Sequence, residues 1–98
     1  MGIKSIPKEL AEARKLIDQI DEDLVGLLAR RFALTRQVGM LKAANSLDAV
    51  DPDREARKLE TMQALAQAQN LNPKLVTDIF AQIMAEAVRN HRRLKGVR

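Results

Sequence analysis

The stretch that decides the fold begins at Pro7, ends at Ala44 and reads PKELAEARKLIDQIDEDLVGLLARRFALTRQVGMLKAA. It holds no proline after its first residue, and its apolar residues recur at spacings of three, four and seven, which is typical of an amphipathic helix. These apolar positions are Leu10, Ile17, Ile20, Leu24, Leu27, Leu28, Leu34, Val38 and Leu41. Asn45 and Ser46 supply a helix breaker. The sequence therefore predicts one continuous helix over residues 7–44.

Such a helix is too long for the rest of the chain to cover. At 1.5 Å per residue, about 36 helical residues extend over about 54 Å, whereas a domain of about 100 residues has a radius of gyration of about 13 Å. The apolar face must then meet another molecule, and a two-fold pair of identical chains is the commonest arrangement. We expect a homodimer.

Two shorter helices follow the loop NSLDAV at residues 45–50. Asp51 and Pro52 form a cap followed by a proline at the first helical position, and this pair predicts a second helix that ends at about Gln69. Asn72 and Pro73 repeat the signal for a third helix, which reaches about Leu94 and leads into a basic tail. Their apolar faces comprise Leu59, Met62, Leu65 and Ala66, and Val76, Ile79, Phe80, Ile83, Met84 and Ala87, with His91 at the end of the last. The predicted fold class is all-α, with residues 1–98 as a single domain of three helices.

Composition excludes several classes of function. The 98 residues include no cysteine and one histidine, so we expect no disulfide framework, no cysteine nucleophile, no metal site and no cofactor. No apolar run approaches the ~18 to 20 residues of a membrane span, and the first ten residues lack the apolar core of a signal peptide, which favours a cytoplasmic protein without a membrane partner. A net charge of +4 favours anionic partners, but only two aromatic residues, Phe32 and Phe80, could stack on bases. We therefore expect no nucleic-acid partner.

Several charged side chains stand on faces that should be apolar. Arg31 lies seven residues after Leu24 and seven before Val38, and no acidic residue stands at positions 27, 28, 34 or 35 to pair with it along the helix. Lys42 follows Arg31 by eleven residues, which is about 20° around a helical wheel, so both cations point to one side. Arg14 falls on the same broad face, where neighbouring acids could neutralise it.

The second and third helices each contain polar side chains that have either a structural or a functional interpretation. Asp51, Arg54 and Glu55 belong to the start of the second helix and form either a capping cluster or part of a site. His91 ends an apolar face, where a single histidine is more often a packed residue than a functional one. Taken together, the basic residues outnumber the acids available to them. A dicarboxylate with a hydroxyl group for Glu55 is the small anion that fits this set.

Four pieces of the sequence occur in a fixed order: Arg14, IDQIDEDLVGLLARR with Arg31, VGMLK with Lys42, and DPDRE with Arg54 and Glu55. With this ordered set, the chain resembles the AroQ-type, all-α chorismate mutases over residues 8–94. The resemblance implies a three-helix protomer intertwined with its partner in a homodimer. It also implies the Claisen rearrangement of chorismate to prephenate, which requires neither a nucleophile nor a metal.

The resemblance implies a role for each matching residue. Arg14, reaching across from the partner protomer, and Arg31 would hold the carboxylates, and Lys42 would donate to the ether oxygen and a carboxylate. Glu55, together with Asp51, would bind the ring hydroxyl. Arg54 would support the cluster.

Two positions depart from the family pattern. Ala87 stands where the family often has serine, and His91 stands where it has glutamine or glutamate as the second donor to the ether oxygen. Imidazole also donates a hydrogen bond, so His91 is chemically admissible there. The departures leave open a related substrate, as in isochorismate pyruvate lyase or 4-amino-4-deoxychorismate mutase. A further alternative is a non-catalytic basic helical dimer that binds anions or nucleic acid.

Overall fold

The computed structural model describes residues 7–96, with the side chains of residues 7–93. It contains three α-helices, α1 (Lys8–Ala44), α2 (Pro52–Ala68) and α3 (Pro73–Gly96), and no strand among the described residues. The predicted all-α class, the number of helices and the long first helix are confirmed. The end of the predicted basic tail, at residues 97 and 98, lies outside the described residues.

Local signals explain where α1 and α2 end. At the end of α1, the Leu47 amide donates to the Lys42 carbonyl at 2.8 Å, while Ser46 adopts the left-handed conformation with φ of 57°. At the end of α2, the Leu71 amide donates to the Ala66 carbonyl at 2.8 Å, and Asn70 has φ of 58°. Both are Schellman motifs, in which a residue with positive φ turns the chain away from the helix.

Side-chain caps begin the second and third helices as the sequence predicts. The Arg54 amide donates to Asp51 Oδ1 at 3.1 Å, and the Lys74 amide donates to Asn72 Oδ1 at 3.0 Å. Each cap is followed by a proline, which lacks an N–H and has its backbone fixed close to helical geometry. These caps fix where α2 and α3 begin.

The chain divides into two units, Met1–Ala33 and Leu34–Arg98, of which residues 7–33 and 34–96 are described. The described part of the first unit is Pro7 and the N-terminal part of α1. In the second unit, α2 packs against α3. Only three of the described residues are buried, namely Gly39, Ala66 and His91. Leu65 and Ile79, which the sequence places on the inner faces of α2 and α3, are 51% and 47% exposed in the single chain.

The apolar face of α1 is exposed in the single chain. The nine apolar positions of the pattern have exposed fractions between 37% at Leu28 and 64% at Leu41. The prediction that one chain does not cover this face is confirmed. No described helix is both long enough and apolar enough to cross a membrane.

Candidate active site

His91 of α3 lies against Gly39 in the C-terminal part of α1. His91 is only 6% exposed, although it is polar, and its ring lies over Gly39. A Cβ atom built on Gly39 would lie 2.9 Å from His91 Nδ1. The contact therefore requires a residue without a side chain at position 39.

Lys42 lies on the same face of α1 as Gly39. Residues three apart on a helix are surface neighbours, with Cβ atoms about 5 to 6 Å apart. Lys42 is half-buried, and its Nζ donates to the Ala49 carbonyl at 3.4 Å. The ammonium group has three donors, so this bond leaves two for another acceptor. The same bond connects α1 to the loop that precedes the α2 cap.

The start of α2 brings Asp51, Arg54 and Glu55 together. The Asp51 carboxylate accepts the Arg54 amide, and the Asp51 carbonyl accepts the Glu55 amide at 3.0 Å. The capping interpretation of Asp51 is thus confirmed. Among the described residues, the Glu55 carboxylate has no hydrogen bond or ion pair, and Glu55 is half-buried. An acceptor in this condition is suited to a hydroxyl donor from a bound molecule.

Ala87 precedes His91 by one turn of α3 and is half-buried. Residues four apart lie on one helix face, so the methyl group of Ala87 and the imidazole of His91 share a surface. Ala87 supplies no polar side-chain atom there. Of these two residues, only His91 has a side-chain atom that can donate a hydrogen bond to a ligand.

Arg31 carries an unsatisfied guanidinium nitrogen. Its Nη1 is buried and has no hydrogen-bond partner among the described residues. Leaving a buried donor unpaired costs about 1 to 3 kcal/mol, and more for a charged group. Among the described residues, no acidic side chain pairs with Arg31, so the guanidinium is suited to an anionic acceptor.

Arg14 is exposed on the N-terminal part of α1. It forms no ion pair with Asp18 or Asp21 among the described residues, so the neutralisation that the sequence allowed does not occur. Arg14 and Arg31 belong to the first unit, and the other predicted site residues belong to the second. The grouping of all of them in one site stays a prediction.

Other charged side chains pair on the surface. Arg89 Nη2 lies 2.7 Å from Glu86 Oε1, and Lys74 Nζ lies 2.8 Å from Asp78 Oδ2. The hydrogen bond from Lys74 to Asp78 raises the pKa of Lys74, with a further contribution from the negative charge of Asp78. In the part of the chain that is described, no three potential metal-ligating side chains come together.

Sequence analysis missed the role of Gly39. Within a helix, glycine is about 1 kcal/mol less favourable than alanine, and the pattern of α1 by itself indicates nothing more about Gly39. The signal that points to its role is the pairing of an interior helical glycine with a lone histidine on another apolar face. That pairing becomes visible only when α1 and α3 are placed side by side.

These features define an all-α protein that presents basic side chains suited to a small anion, together with a Glu55 carboxylate that has no partner among the described residues. The sequence model of the family described as chorismate mutase type II matches residues 13–92. The chain therefore belongs to the type II chorismate mutase family.

Individual relatives agree with the family. The chain is 33% identical over 79 residues to a chorismate mutase of Methanocaldococcus jannaschii, covering 81% of this chain and 79% of that protein. It is 35% identical over 79 residues to a T-protein of Enterobacter agglomerans, covering 81% of this chain and 21% of that protein. It is 34% identical over 79 residues to a bifunctional chorismate mutase/prephenate dehydratase of Escherichia coli K12, covering 81% of this chain and 20% of that protein. The chain thus spans about a fifth of the length of the longer relatives.

The cap at Asp51 gives a prediction that separates helix stability from charge. Asp51→Ala should lower the free energy of unfolding by about 1 kcal/mol because the Arg54 amide loses its acceptor. Asp51→Asn should retain most of that stability, since asparagine caps about as well as aspartate. Chemical denaturation of both variants measures the difference, with Asp53→Ala as the control for an exposed acid in the same turn. Equal stability of Asp51→Ala and the parent would contradict the capping role.

Proposed function

We propose that this protein is a chorismate mutase, which converts chorismate to prephenate in aromatic amino-acid biosynthesis. Family membership and the relative of similar length from Methanocaldococcus jannaschii support the activity. The observation that carries the proposal is the buried Arg31 Nη1, which has no acceptor among the described residues. A substrate carboxylate supplies the charge and the hydrogen-bond acceptor that this guanidinium lacks.

The reaction is a Claisen rearrangement within one molecule. The ether C–O bond of chorismate breaks while a new C–C bond forms, and no group is transferred to or from the protein. The protein must hold the flexible dianion in a compact, chair-like conformation. It must also stabilise the negative charge that develops on the ether oxygen as the C–O bond breaks.

In this proposal, the basic residues divide these two tasks. Arg14 and Arg31 hold the substrate carboxylates. Lys42 donates to the ether oxygen and to a carboxylate, and its two remaining N–H donors support that assignment. Arg54 supports the cluster at the start of α2.

Glu55 and His91 complete the proposed site. The half-buried carboxylate of Glu55, which has no partner among the described residues, accepts the ring hydroxyl, with Asp51 beside it. His91 gives the second hydrogen bond to the ether oxygen, and its burial in contact with α1 supports a fixed ring. Ala87 borders the substrate without a polar contact.

We further propose that the protein acts as a homodimer in which Arg14 enters the partner's site. The exposed apolar face of α1 and the small number of buried residues support this assembly, since an uncovered apolar face of this kind marks an interaction surface. A cytoplasmic location remains a prediction from the sequence.

Turnover of defined substrates tests the proposed function. Purified protein should convert chorismate to prephenate, detected as phenylpyruvate after acid treatment. Isochorismate and 4-amino-4-deoxychorismate serve as parallel substrates, with salicylate plus pyruvate as the products of a lyase. Rearrangement of the amino compound alone, or release of pyruvate from isochorismate alone, would assign a different substrate. Salt-sensitive binding to DNA or RNA with no turnover would favour the non-catalytic alternative.

Lys42→Ala should reduce kcat by about 10²- to 10³-fold, as expected when one donor to a developing negative charge is removed. The matched control is Lys74→Ala, because the Lys74 side chain is 81% exposed and bonds only to Asp78 among the described residues. The control should retain the parental kcat. Steady-state kinetics with chorismate compare the two variants, and equal rates would remove Lys42 from the mechanism.

A site shared between protomers predicts recovery of activity on mixing. Arg14→Ala and Arg31→Ala should each be inactive, but their heterodimer holds one intact site because each intact arginine comes from a different chain. Random exchange should restore about a quarter of the parental activity, since half of the dimers are mixed and each has one of two sites intact. The control mixes Arg31→Ala with Lys42→Ala, which both alter the chain's own site and should not recover. Failure of the first mixture after verified exchange would refute the contribution of Arg14 across the interface.

A further inference from the structure

The contact between Gly39 and His91 is tighter than any side chain at position 39 allows. A Cβ atom on Gly39 would lie 2.9 Å from His91 Nδ1, 3.5 Å from its Cγ and 3.6 Å from its Cβ. The first distance is well inside the ~3.5 to 4.0 Å at which non-bonded heavy atoms attract each other best. A methyl group at position 39 would therefore have to displace the imidazole.

The imidazole has little room in which to move. His91 is 6% exposed, and its Cβ is fixed to the backbone of α3, so the atoms nearest to Gly39 include the inflexible stem of the side chain. Relief of the clash requires either a new rotamer of His91 or a displacement of α3 from α1. Both changes alter where the ring nitrogens lie.

We propose that Gly39 is a positioning residue that sets the place of the His91 imidazole. Its missing side chain leaves the space in which the His91 ring lies against α1, one helical turn from Lys42, which shares the face of α1 with Gly39. The catalytic consequence rests on the proposed function, in which Lys42 and His91 donate to the same ether oxygen. The distance between those two donors then depends on the contact at Gly39.

The chain provides a matched control in the same helix. Gly26 also lies inside α1, but a Cβ atom there would have no neighbour within 4 Å. Alanine is the better helix former at either position, so propensity alone predicts that both substitutions stabilise the protein. A difference between Gly39→Ala and Gly26→Ala therefore reports the contact with His91 and not the helix.

The experiment measures the ring directly, because the chain contains one histidine and its imidazole signals need no further assignment. In a tag-free protein, the ¹H and ¹⁵N ring resonances of His91 should shift in Gly39→Ala and stay in place in Gly26→Ala. With chorismate, Gly39→Ala should lose kcat by roughly ten- to a hundredfold, as expected for a misplaced catalytic group, with a smaller change in KM. Gly26→Ala should keep the parental kcat.

A double substitution tests whether the effect passes through His91. In a His91→Ala background the clash is absent, so Gly39→Ala should change kcat by less than about twofold and should not lower thermal stability. If Gly39→Ala alone does not fold, folding of the double variant with the stability of His91→Ala supports the proposal. Failure of the double variant to fold would overturn it, because Gly39 would then be needed for another contact.

One further result would overturn the proposal for Gly39, and another would overturn only the proposed function. Unchanged ring resonances together with an unchanged kcat in Gly39→Ala would overturn the proposal. If the parent does not rearrange chorismate, the proposed function fails, whereas the ring resonances and the stability of the double variant still show whether Gly39 positions His91.

Discussion

The site depends on the cost of a positive charge held on an apolar helix face. This constraint is clearest at Arg31, because its Nη1 is buried and has no acceptor among the described residues. Water is excluded from that nitrogen, and α1 has no acidic side chain within one turn to replace it. An anion with an oxygen lone pair is the partner that resolves the cost. The proposal of a bound carboxylate thus has a physical basis in the helix pattern and the burial of Arg31, besides the similarity to relatives.

The helices could be predicted because the signals that define them are local. Pro52 and Pro73 follow side-chain caps, and both caps form the hydrogen bonds that their sequence positions imply. The end of α1 at Ala44 could also be predicted, because the next two residues favour a turn. The exposed apolar face of α1 follows from its length alone. None of these features requires knowledge of how one helix lies on another.

The side-chain environments were less predictable, because they depend on packing. A periodic pattern identifies an apolar face but not how much of it one chain covers, so Leu65 and Ile79 are exposed where the pattern places them inside. Arg14 could have paired with the acids that follow it, and only the structure shows that it does not. The grouping of the arginines of the first unit with the residues of the second was supplied by resemblance to a family, not by the physics of the chain.

Gly39 and His91 show how two ambiguous signals explain each other. A glycine inside a helix lowers helix stability, and a histidine on an apolar face is usually a packed residue. Separately, each has an ordinary explanation. Their contact gives both the same cause, because the imidazole occupies the space that a side chain at position 39 would fill. Glycine at position 39 lowers the local stability of the helix. It also leaves the space in which the ring lies against α1, one turn from Lys42. In the proposed mechanism, the helix backbone at position 39, and not only the choice of side chain at position 91, sets the place of the donor that α3 offers to the substrate.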